Sequence, residues 1–89
     1  MRTRWFDVRS TATRLPYCRV AIVVPRFDRT AVARNVVKRR MRELVRQELL
    51  PKLPPLDLVL YAFRTSYDAG FDELRAAVRD IAPQLSASQ

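Results

Sequence analysis

The chain has 89 residues, a formal net charge of +8 and a sequence pI near 11.0, and hydrophobic residues make up 48% of it. This length and composition predict one domain over residues 1–89 with a small core, and they argue against a disordered chain. The sequence has no His, one Cys and one Gly, which excludes His-based acid–base catalysis, a cysteine zinc site and a Walker loop.

Two strands are predicted for the first part of the chain. Loose apolar alternation predicts a strand over residues 3–10, followed by a turn over 11–16. The Val- and Ile-rich run 17–24 predicts a second strand, which Pro25 ends. Its Cys18 is expected to be a buried thiol, which fits a reducing cytoplasmic location. Three aromatic side chains are expected in the core rather than stacked on bases; they are Trp5, Phe6 and Tyr17.

A basic loop over residues 26–31 leads into a long predicted helix. Thr30 is placed to cap it, and we expect it to run from Ala31 or Val32 to Leu50, because the prolines that follow forbid its continuation. An α-helix turns by about 100° per residue, and with that rotation the apolar and the basic residues of this segment fall on different sides of the helix. The predicted buried side holds Val37, Met41, Leu44 and Val45. The predicted exposed side holds Asn35, Lys38, Arg39, Arg42 and Arg46.

One strand and one amphipathic helix are predicted after this helix. Residues 56–63 are nearly all apolar, as expected for a strand covered on both faces, with Tyr61 and Phe63 in the core. The last helix is expected to open at Asp68 or Gly70, and the tail 86–89 is expected to fray. The predicted buried stripe of this helix is Phe71, Leu74, Val78, Ile81 and Leu85. The order β-β-α-β-α predicts that the second and third strands are parallel, with the long helix as the crossover.

The positive charge is concentrated in the first part of the chain. Residues 1–52 carry 14 of the 17 basic residues and 4 of the 9 acidic ones, and residues 26–46 carry eight basic residues against two acidic ones. Like charges this close destabilise a helix by a few tenths of a kcal/mol per pair. We therefore predict a polyanionic partner, nucleic acid before an anionic membrane, with Arg26 and Arg29 of the loop included in the contact surface. A merely solvated basic face is the alternative.

The helix sequence resembles the signature of the bacterial ribonuclease P protein subunit. An Ala-Val pair precedes Arg34-Asn35, and the pairs Lys38-Arg39 and Arg42-Glu43 follow at the family's spacing, with Arg46 where a further Arg is usual. The resemblance covers nearly all of residues 3–85. There are two departures: Val36 replaces a usual Arg, and family members usually begin with a helix before the first strand. Because this chain starts almost at that strand, we expect a short variant or a truncated chain.

The resemblance implies an α+β two-layer sandwich of about three to four strands packed with helices. It also implies a left-handed β-α-β crossover, where general topology favours a right-handed one. It implies a ribonuclease P subunit that binds the catalytic RNA and assists removal of the 5′ leader from precursor tRNA. The RNA would carry the chemistry and most of the Mg²⁺, and the protein alone would be inactive. The implied RNA contacts are Arg34, Asn35, Lys38, Arg39, Arg42 and Arg46. One alternative is a small structural RNA-binding protein of ribosomal type, and the other is a basic domain that binds DNA or a membrane surface. With the ribonuclease P resemblance, no membrane or DNA partner is expected.

Overall fold

Three strands and two helices form the framework of the protein in a computed structural model that describes residues 1–87. In chain order they are β1 (Phe6–Ala12), β2 (Arg19–Val23), α1 (Ala31–Leu44), β3 (Leu56–Ala62) and α2 (Phe71–Ala87). The predicted order β-β-α-β-α is confirmed. Of the tail that was expected to fray, residues 88–89 lie outside the described residues, and the backbone of α2 continues to Ala87.

The sheet has β3 at its centre, in the order β1-β3-β2. β1 pairs with β3 antiparallel, with Phe6 opposite Ala62, and β2 pairs with β3 parallel, with Arg19 opposite Asp57. The predicted parallel pair is therefore confirmed, and α1 lies in the crossover that such a pair needs. The left-handed sense of this crossover stays a prediction.

The two N-terminal strands differ from their predicted bounds. β1 begins at Phe6, because the Thr3 hydroxyl accepts hydrogen bonds from the backbone amides of Trp5 and Phe6 at 3.1 and 3.0 Å and holds a turn there. β1 then continues to Ala12, into the predicted turn, since its pairing with β3 reaches Leu56. β2 is shorter than predicted at both ends.

The core lies on one face of the sheet only. Along β3 the buried residues alternate with partly exposed ones; the buried ones are Leu56, Leu58, Leu60 and Ala62. The prediction that this strand is covered on both faces is therefore wrong, because side chains of α1 and α2 pack together with this one face. Tyr61 points to the other face and is 41% exposed, so its predicted core position is wrong as well.

Other residues expected in the core are divided between the interior and the surface. Phe6 is fully buried, as predicted, and Trp5 and Phe63 are half-buried. Tyr17 is 56% exposed because it lies in the turn before β2, and Phe71 is exposed because it stands at the very start of α2. The predicted burial of these last two residues is wrong. Cys18 is only half-buried, and its thiol donates to the Pro54 carbonyl oxygen at 3.1 Å.

The buried side of α1 is the predicted one. Val37, Met41, Leu44 and the adjoining Val45 are all buried, and they share the core with Leu74, Val78, Ile81 and Leu85 of α2. Thr30 caps α1, since its hydroxyl accepts from the Ala33 amide at 3.1 Å.

The helical path beyond α1 changes form before it ends. A π turn covers Val45–Leu49, in which the Leu50 amide donates to the Val45 carbonyl, and a 3₁₀ turn covers Leu50–Lys52. A π turn holds more residues than an α-helical turn, so each residue advances round the helix axis by a smaller angle. Leu49 is therefore rotated less than it would be in an α-helix, and it is fully buried. The helical path reaches Leu50, as predicted. The prediction of one regular helix is wrong, because the α-helix itself ends at Leu44.

Candidate nucleic-acid interface

The surface of α1 opposite the core carries a set of polar groups without internal partners. Lys38 is half-buried, whereas Asn35, Arg39 and Arg42 are exposed. Within residues 1–87, none of these four side chains makes a hydrogen bond or ion pair with the rest of the protein. We call them the cationic face of α1. Because the helix is fixed by its buried side, these side chains extend from fixed backbone positions, and their donors are available to an external anion.

Arg34 has a structural partner as well as a place beside this face. Its Nε donates to the Val24 carbonyl oxygen at 2.7 Å, and the residue is half-buried. The bond ties the first turn of α1 to Val24, the residue directly after β2. A guanidinium has five N–H donors, so this contact leaves donors for another ligand.

Arg46 lies just beyond α1, in the π turn. Its Nη2 donates to Glu43 Oε1 at 2.7 Å, and Gln47 donates to the same oxygen at 2.6 Å. The pair is exposed, and such pairs contribute at most about 1 kcal/mol. Arg46 is therefore close to the cationic face but is partly neutralised within the protein.

A groove of about 490 Å³ runs between β2 and α1. Its cations come from the helical side, namely Lys38, Arg42 and Arg46. Its apolar lining is Val20, Ala21, Ile22, Val45 and Leu50. This groove was not predicted from the sequence. The alternation in β2 was the available signal, but the groove exists only because β2 is an edge strand, which the sequence does not indicate.

Arg26 and Arg29, the two loop arginines predicted to belong to the contact surface, differ in their contacts within the protein. Arg29 Nη2 is 3.3 Å from Asp68 Oδ1, and its guanidinium lies 5.4 Å from the centroid of the Tyr67 ring. Arg26 is exposed, and its Nε donates to the Arg29 carbonyl at 3.4 Å. The loop thus continues the basic surface past the start of α1, with Arg29 already engaged inside the protein.

Two carboxyl groups, those of Glu48 and Asp57, have lowered pKa values. Both are bound to arginines that lie outside the cationic face. Burial raises the pKa of Glu48, but Arg75 and Arg79, at 3.0 and 2.9 Å, outweigh that effect and hold the pKa below its ordinary value. Two hydrogen bonds from Arg19, at 2.8 and 2.7 Å, lower the pKa of Asp57 and in turn raise the pKa of Arg19.

The described residues hold neither a metal-binding cluster nor a helix that could cross a membrane. Within residues 1–87, no cluster of three or more His, Cys, Asp or Glu side chains could hold a metal ion. In the same part of the chain, no helix has the length and apolar character needed to cross a membrane.

The fold and this surface define a small α+β protein that presents a basic helix beside the edge strand of its sheet. The sequence model of the Ribonuclease P family matches residues 1–86, so the chain belongs to that family. It is 46% identical over 59 residues to the Ribonuclease P protein component of Thermus aquaticus, an alignment that covers 66% of this chain but only 35% of that relative.

Solved structures of related proteins share the fold. A Staphylococcus aureus RNase P protein mutant with defective mRNA degradation activity superposes with a TM-score of 0.80 at 23% identity, over 93% of this chain and 73% of that one. The Thermotoga maritima RNase P protein in complex with 1-(4-fluorophenyl)-2-thiourea gives a TM-score of 0.80 at 25% identity, over 92% and 80%. The predicted α+β fold is thereby confirmed.

Proposed function

We propose that this chain is the protein subunit of a ribonuclease P holoenzyme, which binds the catalytic RNA and assists removal of the 5′ leader from precursor tRNA. Family membership supports the proposal. The observation that carries it is the cationic face of α1: four polar side chains, three of them cationic, without partners within residues 1–87, on a helix whose opposite side is in the core.

Phosphate binding by this face would be mainly electrostatic. Each phosphate that Lys38, Arg39 or Arg42 neutralises would release condensed counterions from the RNA, which favours binding and makes it depend on salt. Arg34 and Arg46 would extend the contact at the two ends of the helix. Asn35 adds a neutral amide that can donate to a phosphate or accept from a base.

The groove between β2 and α1 suits an unpaired RNA segment. Its apolar lining, including Val20 and Ile22, would contact bases, while Lys38 and Arg42 at its rim would contact phosphates. A groove of this kind can hold a strand without base-specific hydrogen bonds. We therefore assign paired or folded RNA to the exposed helix face and a single strand to the groove.

Strand cleavage and Mg²⁺ are assigned to the RNA subunit in this proposal. The described residues of the chain do not fit a metal site, and the sequence has no His. The protein would supply fixed positive charge and orientation, and it should be inactive alone. A structural RNA-binding protein would use the same face, so only an assay of processing distinguishes the two functions.

The salt dependence of binding to ribonuclease P RNA tests this interface. We expect affinity to fall steeply with salt for the wild type, and the slope of log affinity against log salt to decrease by roughly 2–3 when Lys38, Arg39 and Arg42 are all replaced by Ala. The matched controls are the single variants Arg39→Ala and Arg40→Ala. Both positions are exposed and each variant removes one charge, but Arg40 lies about 100° further round the helix, away from the face.

Two results would contradict the interface. One is affinity for ribonuclease P RNA that does not change with salt. The other is equal loss of affinity in Arg39→Ala and Arg40→Ala, which would mean that net charge, not the cationic face, determines binding.

A further inference from the structure

Phe27, in the loop between β2 and α1, combines a strained backbone with an exposed ring. Its φ angle is 55°, in the left-handed region that bulky residues rarely adopt, and within residues 1–87 it is the one non-glycine residue with positive φ. The residue is 44% exposed, so burial offsets only part of that backbone cost. Strained residues of this kind persist where their surroundings hold them, and they cluster at binding sites.

Two side chains of the 3₁₀ turn Arg64–Asp68, which follows β3, hold this ring in place. They are Arg64 and Tyr67, and we call them the Phe27 clasp. The guanidinium carbon of Arg64 lies 4.9 Å from the centroid of the Phe27 ring, and Nη1 of the same arginine donates to Asp28 Oδ1 at 2.8 Å. The Tyr67 ring meets the Phe27 ring edge to face, with centroids 6.2 Å apart and planes at 80°. The Tyr67 hydroxyl donates to the Pro25 carbonyl at 2.6 Å. The exposed ring is therefore oriented before any ligand binds.

The charges around this ring largely cancel. Arg64 is paired with Asp28, and Arg29 is paired with Asp68 at 3.3 Å. Arg26 makes no ion pair within residues 1–87, so one cation of the cluster remains for an external group. A nearly neutral site with an exposed aromatic ring suits a flat, uncharged ligand better than it suits several phosphates.

We propose that Phe27 is a stacking platform for one unpaired nucleobase, with Arg26 beside it for the adjoining phosphate. Every base has a π face, and unpaired bases of RNA stack on aromatic side chains and arginine planes. The inference rests on the proposed function, because the loop leads directly into α1 and so places the platform at the N-terminal end of the cationic face. The base can belong to ribonuclease P RNA or to precursor tRNA.

Fluorescence of a tryptophan at this position tests stacking directly. Trp5 is the only natural tryptophan, so the probe protein carries Trp5→Phe together with Phe27→Trp. It is titrated with a single-stranded oligoadenylate, with ribonuclease P RNA, and with precursor tRNA with and without its 5′ leader. We expect oligoadenylate to quench the tryptophan emission. Quenching by ribonuclease P RNA or by precursor tRNA would then show which of these two RNAs supplies the stacked base.

A second variant separates stacking from stability. Phe27→Gly removes the ring and suits the left-handed backbone, so the protein should keep its melting temperature or lose little of it. We expect its affinity for oligoadenylate to fall roughly 5- to 150-fold, the range that loss of one base stack gives. Phe71→Ala, which removes a ring of similar exposure (41%) from the start of α2, should leave that affinity unchanged.

The outcomes distinguish this inference from the function on which it rests. If the wild type binds ribonuclease P RNA but Phe27→Gly binds oligoadenylate as tightly as the wild type does, the platform is overturned and the function stands. The platform is also overturned if the tryptophan emission stays unquenched while labelled RNA is shown to be bound. If the wild type binds no ribonuclease P RNA, the proposed function fails and the platform fails with it.

Discussion

Single arginines of the basic surface differ in what they bind within the protein. Arg34 is tied to the Val24 carbonyl, whereas Arg39 has no partner within residues 1–87. We expect Arg34→Ala to lower the free energy of unfolding by about 1 kcal/mol, because the Val24 carbonyl loses its donor. Arg39→Ala should change it by less than about 0.5 kcal/mol. Urea denaturation of both variants measures the difference, and equal stabilities would show that the Arg34 bond contributes nothing.

Glu48 gives the stability a specific dependence on pH. Its pKa is below the ordinary value in the folded protein, so its bonds to Arg75 and Arg79 stabilise fully above the ordinary glutamate pKa of about 4.3 and are lost as the pH falls through the lower folded pKa. We therefore expect Glu48→Gln to be less stable than the wild type at neutral pH, with a difference that shrinks in acid.

Denaturation at several pH values measures this effect, with Glu43→Gln as the control. Glu43 belongs to an exposed pair with Arg46 and should contribute little at any pH. A stability difference for Glu48→Gln that is the same at neutral and acid pH would contradict the role of its ionisation.

At the scale of elements, α1 joins the core to the basic surface. Met41 is fully buried in the core, and Val32, on the same helix, is 73% exposed. We expect Met41→Ala to cost about 2–5 kcal/mol of unfolding free energy, because it leaves a cavity. Val32→Ala should cost less than about 0.5 kcal/mol. Similar losses in the two variants, measured by urea denaturation, would mean that the helical phase of α1 is wrong.

Local sequence predicted the elements that depend on short-range pattern. The phase of α1, its Thr30 cap and the parallel strand pair follow from apolar spacing, a capping residue and element order, and the structure agrees with all three. The exposure of Tyr61 and the π turn at Val45–Leu49 were not predictable in this way. They depend on which face of the sheet the helices cover and on how the end of α1 reaches the core.

At the scale of the whole molecule, the candidate site has a predictable part and an unpredictable one. The residues of α1 share a face because they share a helix, so the period alone groups them. The groove joins β2 to α1, and the Phe27 clasp joins residues 36 to 42 positions apart in the chain. Only the folded structure brings those residues together, and no local pattern indicates that it does.

Cleavage of precursor tRNA by a bacterial ribonuclease P RNA at low magnesium is the most direct test of the proposed subunit function. We expect the wild-type protein to raise the cleavage rate, because its fixed cations replace part of the screening that the RNA otherwise takes from magnesium ions. The protein with Lys38, Arg39 and Arg42 replaced by Ala should stimulate much less, and the protein without RNA should cleave nothing. Cleavage by the protein alone, or no stimulation at any magnesium concentration, would contradict the function proposed here.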